Sequence, residues 1–318
     1  MGERVAALDA GTNTLRLYIA EVEEPASGRP VLRELERELR FVGLGHGVDA
    51  TGLLNEASIA RAWAAIEEYL QLLRRHRCSR ARFVATSASR DAANRDEFFD
   101  GVRDRLGIQP ELISGDEEAG LSFAGAVSGA RLDGDPVLVM DSGGGSTELV
   151  RGDSSGRVEQ AQSIEMGSRR IRERYLIGDP PSAAQVAAAR EEMNRQLDRC
   201  SVDLTGIRTF IGVAGTATSM GAVNLGLTEY DRNRVHGSLM SPLEVVHLAD
   251  RLLVMTVAEV AALGPVAPER ATVLGAGSLV IAEVTRRVGV DLQVSEADIL
   301  DGIAWSIVGA GKGQPLPG

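Results

Sequence analysis

Two stretches of this chain follow one scheme, and that repetition restricts its fold more than any other feature. Leu8–Leu17 reads LDAGTNTLRL and Met140–Leu149 reads MDSGGGSTEL. Each runs from an apolar strand into an aspartate, a small residue and a glycine. Each then passes Gly or Asn with Ser or Thr and returns as a second strand. The aspartates, Asp9 and Asp141, stand about one domain's length apart. A chain of 318 residues has room for two domains with full cores. The repeat therefore predicts two similar domains, each presenting a strand–loop–strand clip to a shared cleft.

Elsewhere strands alternate with helices, which predicts an α/β fold. Ile59, Ala62, Trp63, Ile66, Leu70 and Leu73 recur at three- and four-residue spacing, marking one amphipathic helix. The stretch SGARLDGDP has the composition of a domain joint. The expected boundaries are 1–124 for the first domain and 125–297 for the second. A helix over about 298–309 is expected to pack back near the first domain, and the tail 310–318 to fray.

Bulk numbers narrow the function. Hydrophobic residues make up 44% and charged residues 25%, as in ordinary soluble globular chains. No run approaches the roughly 18 apolar residues that span a bilayer, so no membrane partner is expected. The opening MGERVAALDAG enters a strand directly, leaving no room for a signal peptide. Cys78 and Cys200 fit a reducing cytoplasm, and His46, His76, His236 and His247 show no metal-ligand spacing. A net charge of −11 argues against nucleic acid as a partner. Any anion must then be held by a local concentration of arginine and backbone N–H groups.

Gly143-Gly144-Gly145 followed by Ser146-Thr147 supplies such a place. Bare backbone can curl its N–H groups around an anion, and a hydroxyl adds a donor. A tight turn needs only one or two glycines, so a third after Asp141 points to a phosphate loop. No lysine follows, so it is not a Walker A loop. Gly11-Thr12-Asn13-Thr14 reads by itself as turn or anion site equally, and the repeat favours the latter. In GVAGTATSM a strand meets Ala214-Gly215-Thr216 and opens a helix, which is either a plain turn or an anion site at a helix N-terminus. Asp141 and Glu148 are hard oxygen donors suited to Mg²⁺, although Glu148 reads equally well as a solvated sheet residue. Glu117 and Glu118 open a helix, where both complement the helix dipole. Lying about 100° apart, at most one faces a cleft squarely. Arg169, Arg170, Arg172 and Arg174 form a solvated helix face from which one member can reach an anion.

The segments LDAGTNTLRL, ATSASRDAANRDEF, ISGDEEA, MDSGGGSTELV, MGSRRI, VAGTAT and RVHGSLMS occur in this order from Val5 to about Val308. Together they resemble the exopolyphosphatase / guanosine pentaphosphate phosphohydrolase family. The resemblance implies two ribonuclease-H-like domains of the actin-like ATPase superfamily, with the active site in the interdomain cleft. It implies Glu118 as catalytic base and Arg90 as a second catalytic residue, an arginine at the cleft. Asp141 and Glu148 are implied as Mg²⁺ ligands, with Mn²⁺ as an alternative ion and no organic cofactor. Phosphate contacts are implied at Gly11, Thr12, Asn13, Thr14, Gly143, Gly144, Gly145, Ser146, Gly215 and Thr216, and Arg170 joins them. A cytoplasmic homodimer is also implied. The expected activity is Mg²⁺-dependent release of orthophosphate from the ends of inorganic polyphosphate, short chains in particular. The chain stops near the end of the two-domain core, which fits a short form of the family. The alternatives are a 5′-phosphohydrolase of guanosine pentaphosphate and a sensor that binds without turnover. A kinase-like ATPase is opposed by the built-in glutamate of GDEEA. One departure stands out: the family's late Arg-Glu-Gly triplet is Leu300-Asp301-Gly302 here.

Overall fold

A computed structural model describes residues 2–11, 14–24, 30–46 and 48–316. Along the chain come β1 (Arg4–Ala10), β2 (Thr14–Glu23), β3 (Val31–Phe41), α1 (Val48–Thr51), α2 (Glu56–His76) and β4 (Arg80–Ala85). Next are α3 (Ser87–Asp91), α4 (Arg95–Leu106), β5 (Glu111–Leu112) and α5 (Gly115–Ser128). The second half holds β6 (Val137–Ser142), β7 (Thr147–Gly152), β8 (Val158–Ile164), α6 (Ser168–Arg174), α7 (Ala183–Asp198), β9 (Thr209–Val213) and α8 (Ala214–Asn224). It continues through α9 (Arg232–Val235), β10 (Leu239–Met240), α10 (Pro242–Leu253), α11 (Val257–Ala261), α12 (Pro268–Val288) and β11 (Leu292–Val294). The chain closes with α13 (Ile299–Ala310) and β12 (Gln314–Pro315).

Two compact units result. One takes in the chain up to Gly125 and resumes at Ile299; the other is Ala126–Asp298. In the first unit β1 pairs antiparallel with β2, β2 with β3, and β1 parallel with β4, to which β5 is joined. In the second, β6 pairs antiparallel with β7, β7 with β8, and β6 parallel with β9, which is followed by β11. Both sheets thus carry the ribonuclease-H-like strand order, and the sequence repeat is a repeat of topology.

β1 is apolar on both sides because both faces of its sheet are covered. Ala6 and Leu8 join the cluster with α2 and α4, which includes Ile59, Ile66 and Phe98. Val5 and Ala7 join the opposite cluster with α13, which includes Leu300, Ile303 and Ile307. Each large aliphatic side chain so buried contributes about 1.5–3 kcal/mol. Helix α2 begins where Asn55 accepts a hydrogen bond from the Ala57 N–H and ends at Arg77 in the left-handed region. No helix among the described residues is long and apolar enough to cross a membrane.

Two features depart from the sequence reading. β3, with sequence VLRELERELRF, lacks an apolar alternation and gives no strand signal, yet it pairs with β2 from Val31↔Glu23 to Phe41↔Thr14. It lies at the sheet edge, where charge discourages further pairing. Its arginines find acids: Arg33 pairs with Glu23, Arg37 with Asp301 and Arg40 with Glu68. The tail does not fray up to Leu316. Strand β5 covers only Val84 and Ala85 of β4, so the Arg80–Ala81 end of that edge is open, and Gln314–Pro315 pair there. The Leu316 N–H donates to Ser79 O, and the Gln314 side chain bridges the Gln109 backbone in both directions.

Candidate functional site

The second clip is closed by its hairpin register. Asp141↔Glu148 and Ser142↔Thr147 are its last ladder pairs, and the Gly143 N–H donates to Ser146 O at 3.0 Å. Gly144 and Gly145 therefore form a two-residue tip. Its carbonyls all turn towards α6. Ser168 N donates to Gly143 O at 2.9 Å, Arg169 N to Gly144 O at 2.9 Å, and Gly167 N to Gly145 O at 3.2 Å. Arg170 Nε adds a second bond to Gly145 O at 2.8 Å, which sets its guanidinium against the tip. A Cβ on Gly167 would lie 2.4 Å from Gly144 C, so only glycine lets α6 approach this closely. In a trans peptide the C=O and the following N–H point in opposite directions. Carbonyls committed to α6 therefore turn the N–H groups of Gly144, Gly145 and Ser146 away from it. Among the described residues these three donate to no acceptor. Three consecutive backbone N–H groups left in this way can receive an anion.

At the base of the clip, Asp141 lies opposite Glu148 on one side and Val213 on the other. Directly opposed residues share a sheet face at about 4.5–5.5 Å between Cα atoms. Two carboxylates in that relation repel. Glu148 is oriented through Oε1, which accepts from Ser146 Oγ at 2.6 Å and Ser163 Oγ at 2.7 Å. The described residues contain no group of three or more His, Cys, Asp or Glu placed to hold a metal ion. Two carboxylates beside these N–H groups are a poor cage, but the donor set suits Mg²⁺, which keeps waters and takes substrate phosphate oxygens as ligands.

The third loop joins this clip through α12. Ala214 opens α8 with φ of 65°, a left-handed conformation that costs a non-glycine residue about 1–2 kcal/mol. Arg270 of α12 lies over Gly215. Thr216 and Ser168 meet at Gly277 of α12, where a Cβ would lie 2.6 Å from Thr216 and 3.0 Å from Ser168. The N-termini of α6 and α8 are thus packed against one point of α12. Sequence reading missed Gly167, Arg270 and Gly277. The signal for the last was available, because a glycine inside a long helix marks a close approach.

In the first unit, Glu117 and Glu118 diverge. Glu117 Oε1 accepts from Lys312 Nζ at 2.8 Å and from Arg82 Nη2 at 2.7 Å. The Lys312 ammonium and then the Arg82 guanidinium hold its carboxyl below the usual range. Glu118 turns instead to Arg90, whose Nη2 lies 3.3 Å from Glu118 Oε2 and donates to Ile113 O at 2.9 Å. The Glu118 side chain is 36% exposed. Arg90 Nε is buried and has no partner among the described residues. In the first clip the Gly11 N–H donates to Thr14 O at 3.0 Å, as Gly143 does to Ser146. Thr12 and Asn13 lie outside the described residues.

The profile of the Ppx/GppA phosphatase family matches residues 19–299. The chain belongs to this family. It is 43% identical over 318 residues to exopolyphosphatase 2 of Mycobacterium tuberculosis, covering 96% of this chain and 99% of that protein. A solved exopolyphosphatase-like protein is 39% identical, with a TM-score of 0.76 over 95% of this chain and 96% of the other. The crystal structure of the Aquifex aeolicus Ppx/GppA member superposes with a TM-score of 0.87 at 27% identity, covering 98% and 99%.

Within this Ppx/GppA fold, the departure at Leu300-Asp301 is absorbed locally. Leu300 is 1% exposed in the apolar cluster of α13. Asp301 takes two bonds from Arg37 Nη2, at 2.9 and 3.1 Å, and the Arg37 guanidinium stacks on Tyr18 at 4.3 Å. Gly302 packs on α5, where a Cβ would lie 1.9 Å from Leu121 O. The triplet in this chain therefore fastens α13 to its sheet and to α5.

Proposed function

We propose that this chain is an exopolyphosphatase that removes the terminal phosphate of inorganic polyphosphate as orthophosphate. The observation that carries the reading is the Gly143–Ser146 loop: its three glycine carbonyls are committed to the start of α6, and the N–H groups of Gly144, Gly145 and Ser146 point away from it. A loop of that kind takes phosphate oxygens without demanding a particular leaving group.

Phosphoryl transfer asks a protein mainly for positioning and charge neutralisation. In this reading the Gly144, Gly145 and Ser146 N–H groups hold oxygens of the terminal phosphate, with Thr216 and Arg170 beside them. Asp141 and Glu148 hold Mg²⁺, or Mn²⁺ in its place, which when bound neutralises phosphate charge. Glu118 accepts a proton from the water whose oxygen bonds to the terminal phosphorus. The bridging P–O bond then breaks, leaving orthophosphate and a chain one unit shorter. Arg90 fixes the Glu118 carboxylate for that transfer. Cytoplasmic residence and a homodimer belong to the same reading, and light scattering on the purified chain tests the latter.

The test is phosphate release from short polyphosphate and from guanosine pentaphosphate, side by side, with and without Mg²⁺. Mg²⁺-stimulated release with preference for polyphosphate is expected. Preference for the nucleotide would move the activity to the 5′-phosphohydrolase alternative, and binding without release would make the chain a sensor. Glu118→Gln is expected to lower turnover about 10²–10⁴-fold with folding intact. Near-normal turnover in that variant would remove Glu118 from the chemistry.

A further inference from the structure

Lys312 is the only lysine in the chain, and it sits in the tail strand's approach, bonded to the neighbour of the proposed base. Its Nζ lies 2.8 Å from Glu117 Oε1, the oxygen that also accepts from Arg82 Nη2 at 2.7 Å. Arg82 is fully buried and is itself held by Glu111 and, through Nη1 at 2.9 Å, by Ser306 Oγ of α13. The segment carrying Lys312 has little freedom to shift. Lys312 N donates to Ser306 O, and Gln314–Pro315 pair with β4. A Cβ on Gly313 would fall 2.5 Å from Ile307 Cγ2, so the backbone is seated tightly on α13.

We propose that the segment from Gly311 to Leu316 is a positioning strap for the base, acting through Lys312. The inference rests on the reading of Glu118 given above. Glu117 and Glu118 are consecutive in the first turn of α5, so their side chains leave the helix about 100° apart. Pinning Glu117 to Arg82 and Lys312 fixes the rotation of that turn, and with it the direction in which Glu118 meets Arg90. Lys312 is a positioning residue and touches no substrate. With Lys312 49% and Glu117 34% exposed, the pair adds little to stability, as exposed ion pairs generally do. Geometry at a reacting carboxylate is far less forgiving, since about 1 Å of misplacement can cost up to ~10²-fold.

The experiment compares Lys312→Met and Lys312→Arg with the unaltered chain, measuring kcat and KM for short polyphosphate with Mg²⁺, alongside thermal melting. Lys312→Met is expected to lose roughly tenfold in kcat at unchanged KM, with melting nearly unmoved, and Lys312→Arg to restore kcat. The single lysine gives a second arm. Acetylation, which removes its charge, should reproduce the loss, whereas reductive dimethylation, which keeps it, should not. Lys312→Arg should be indifferent to both reagents, which controls for the terminal amine. Unchanged kcat in Lys312→Met, a change confined to KM, or a loss that arginine does not restore each overturns the strap. Those failures differ from failure of the hydrolase reading, in which the unaltered chain releases no phosphate, or Glu118→Gln turns over normally, and the strap falls with it.

Discussion

The two hairpins share a strand register and differ in charge. In the first, Asp9 faces Arg16 across β1 and β2, and Arg16 Nε and Nη2 lie 3.0 and 2.6 Å from Asp9 Oδ2. In the second, the residue at the matching position opposite Asp141 is Glu148. Hairpin register alone brings the two side chains of each pair together. Their charges then set the use of each clip. Asp9 is 3% exposed and paired from within, whereas Asp141 and Glu148 set two carboxylates opposite each other below the Gly144–Ser146 N–H groups. In the reading proposed above, a cation from outside would bridge both carboxylates and phosphate. One repeat closes on its own ion pair, and in the proposed reading the other serves a ligand.

Exchanging the pairs is the strongest way to break this comparison. Arg16→Glu places a second acid against buried Asp9 and is expected to destabilise the chain by about 3 kcal/mol or more. Chemical denaturation measures it, and a wild-type midpoint would show that the first clip does not depend on its ion pair. The reciprocal Glu148→Arg makes the second clip resemble the first. It should hold or raise the melting temperature, because an opposed acid pair becomes an acid–base pair. Mg²⁺-stimulated turnover should nevertheless drop roughly 10²-fold, the scale of losing one preorganised electrostatic element. Retained Mg²⁺ stimulation would take Glu148 out of the metal seat. Gly144→Val is milder. A Cβ there meets nothing closer than Arg169 Cβ at 3.8 Å, so the fold should survive. The branched side chain would crowd the N–H groups of the tip, raising KM about tenfold, as loss of one charge-assisted hydrogen bond implies. An unchanged KM would place the phosphate elsewhere. Smallest of all, Glu148→Gln should gain roughly 0.2–1 kcal/mol of stability by relieving repulsion. No gain at all would mean that Asp141 is already neutralised by other groups.

Much of this was legible in the sequence because it is local. The α/β alternation, the amphipathic helix through Ile59 and Leu73 and the paired clips follow from periodicity and turn chemistry within a few residues. Even the Asp141–Glu148 meeting could be counted out, since a two-residue tip at Gly144-Gly145 makes them cross-strand partners. β3 was not legible, because VLRELERELRF carries charges that suit an edge and hide the period of a strand. Nor was the tail's docking, which depends on an open stretch of β4 that no local signal reveals.

Residue order was enough to dictate that two like topologies would form, and that the second would expose bare backbone between acids. Tertiary structure decided how those parts are used. It turned three carbonyls of the glycine tip towards α6, and so aimed three N–H groups outward. It also told Glu117 from Glu118, two identical side chains side by side in one helical turn. Composition and spacing treat them alike. They are separated by Arg82 from the sheet and by Lys312, which lies 195 residues away in the chain and 2.8 Å away in space. Side-chain direction in a helix is set by what packs against each face, and those partners arrive from parts of the chain that local pattern cannot connect.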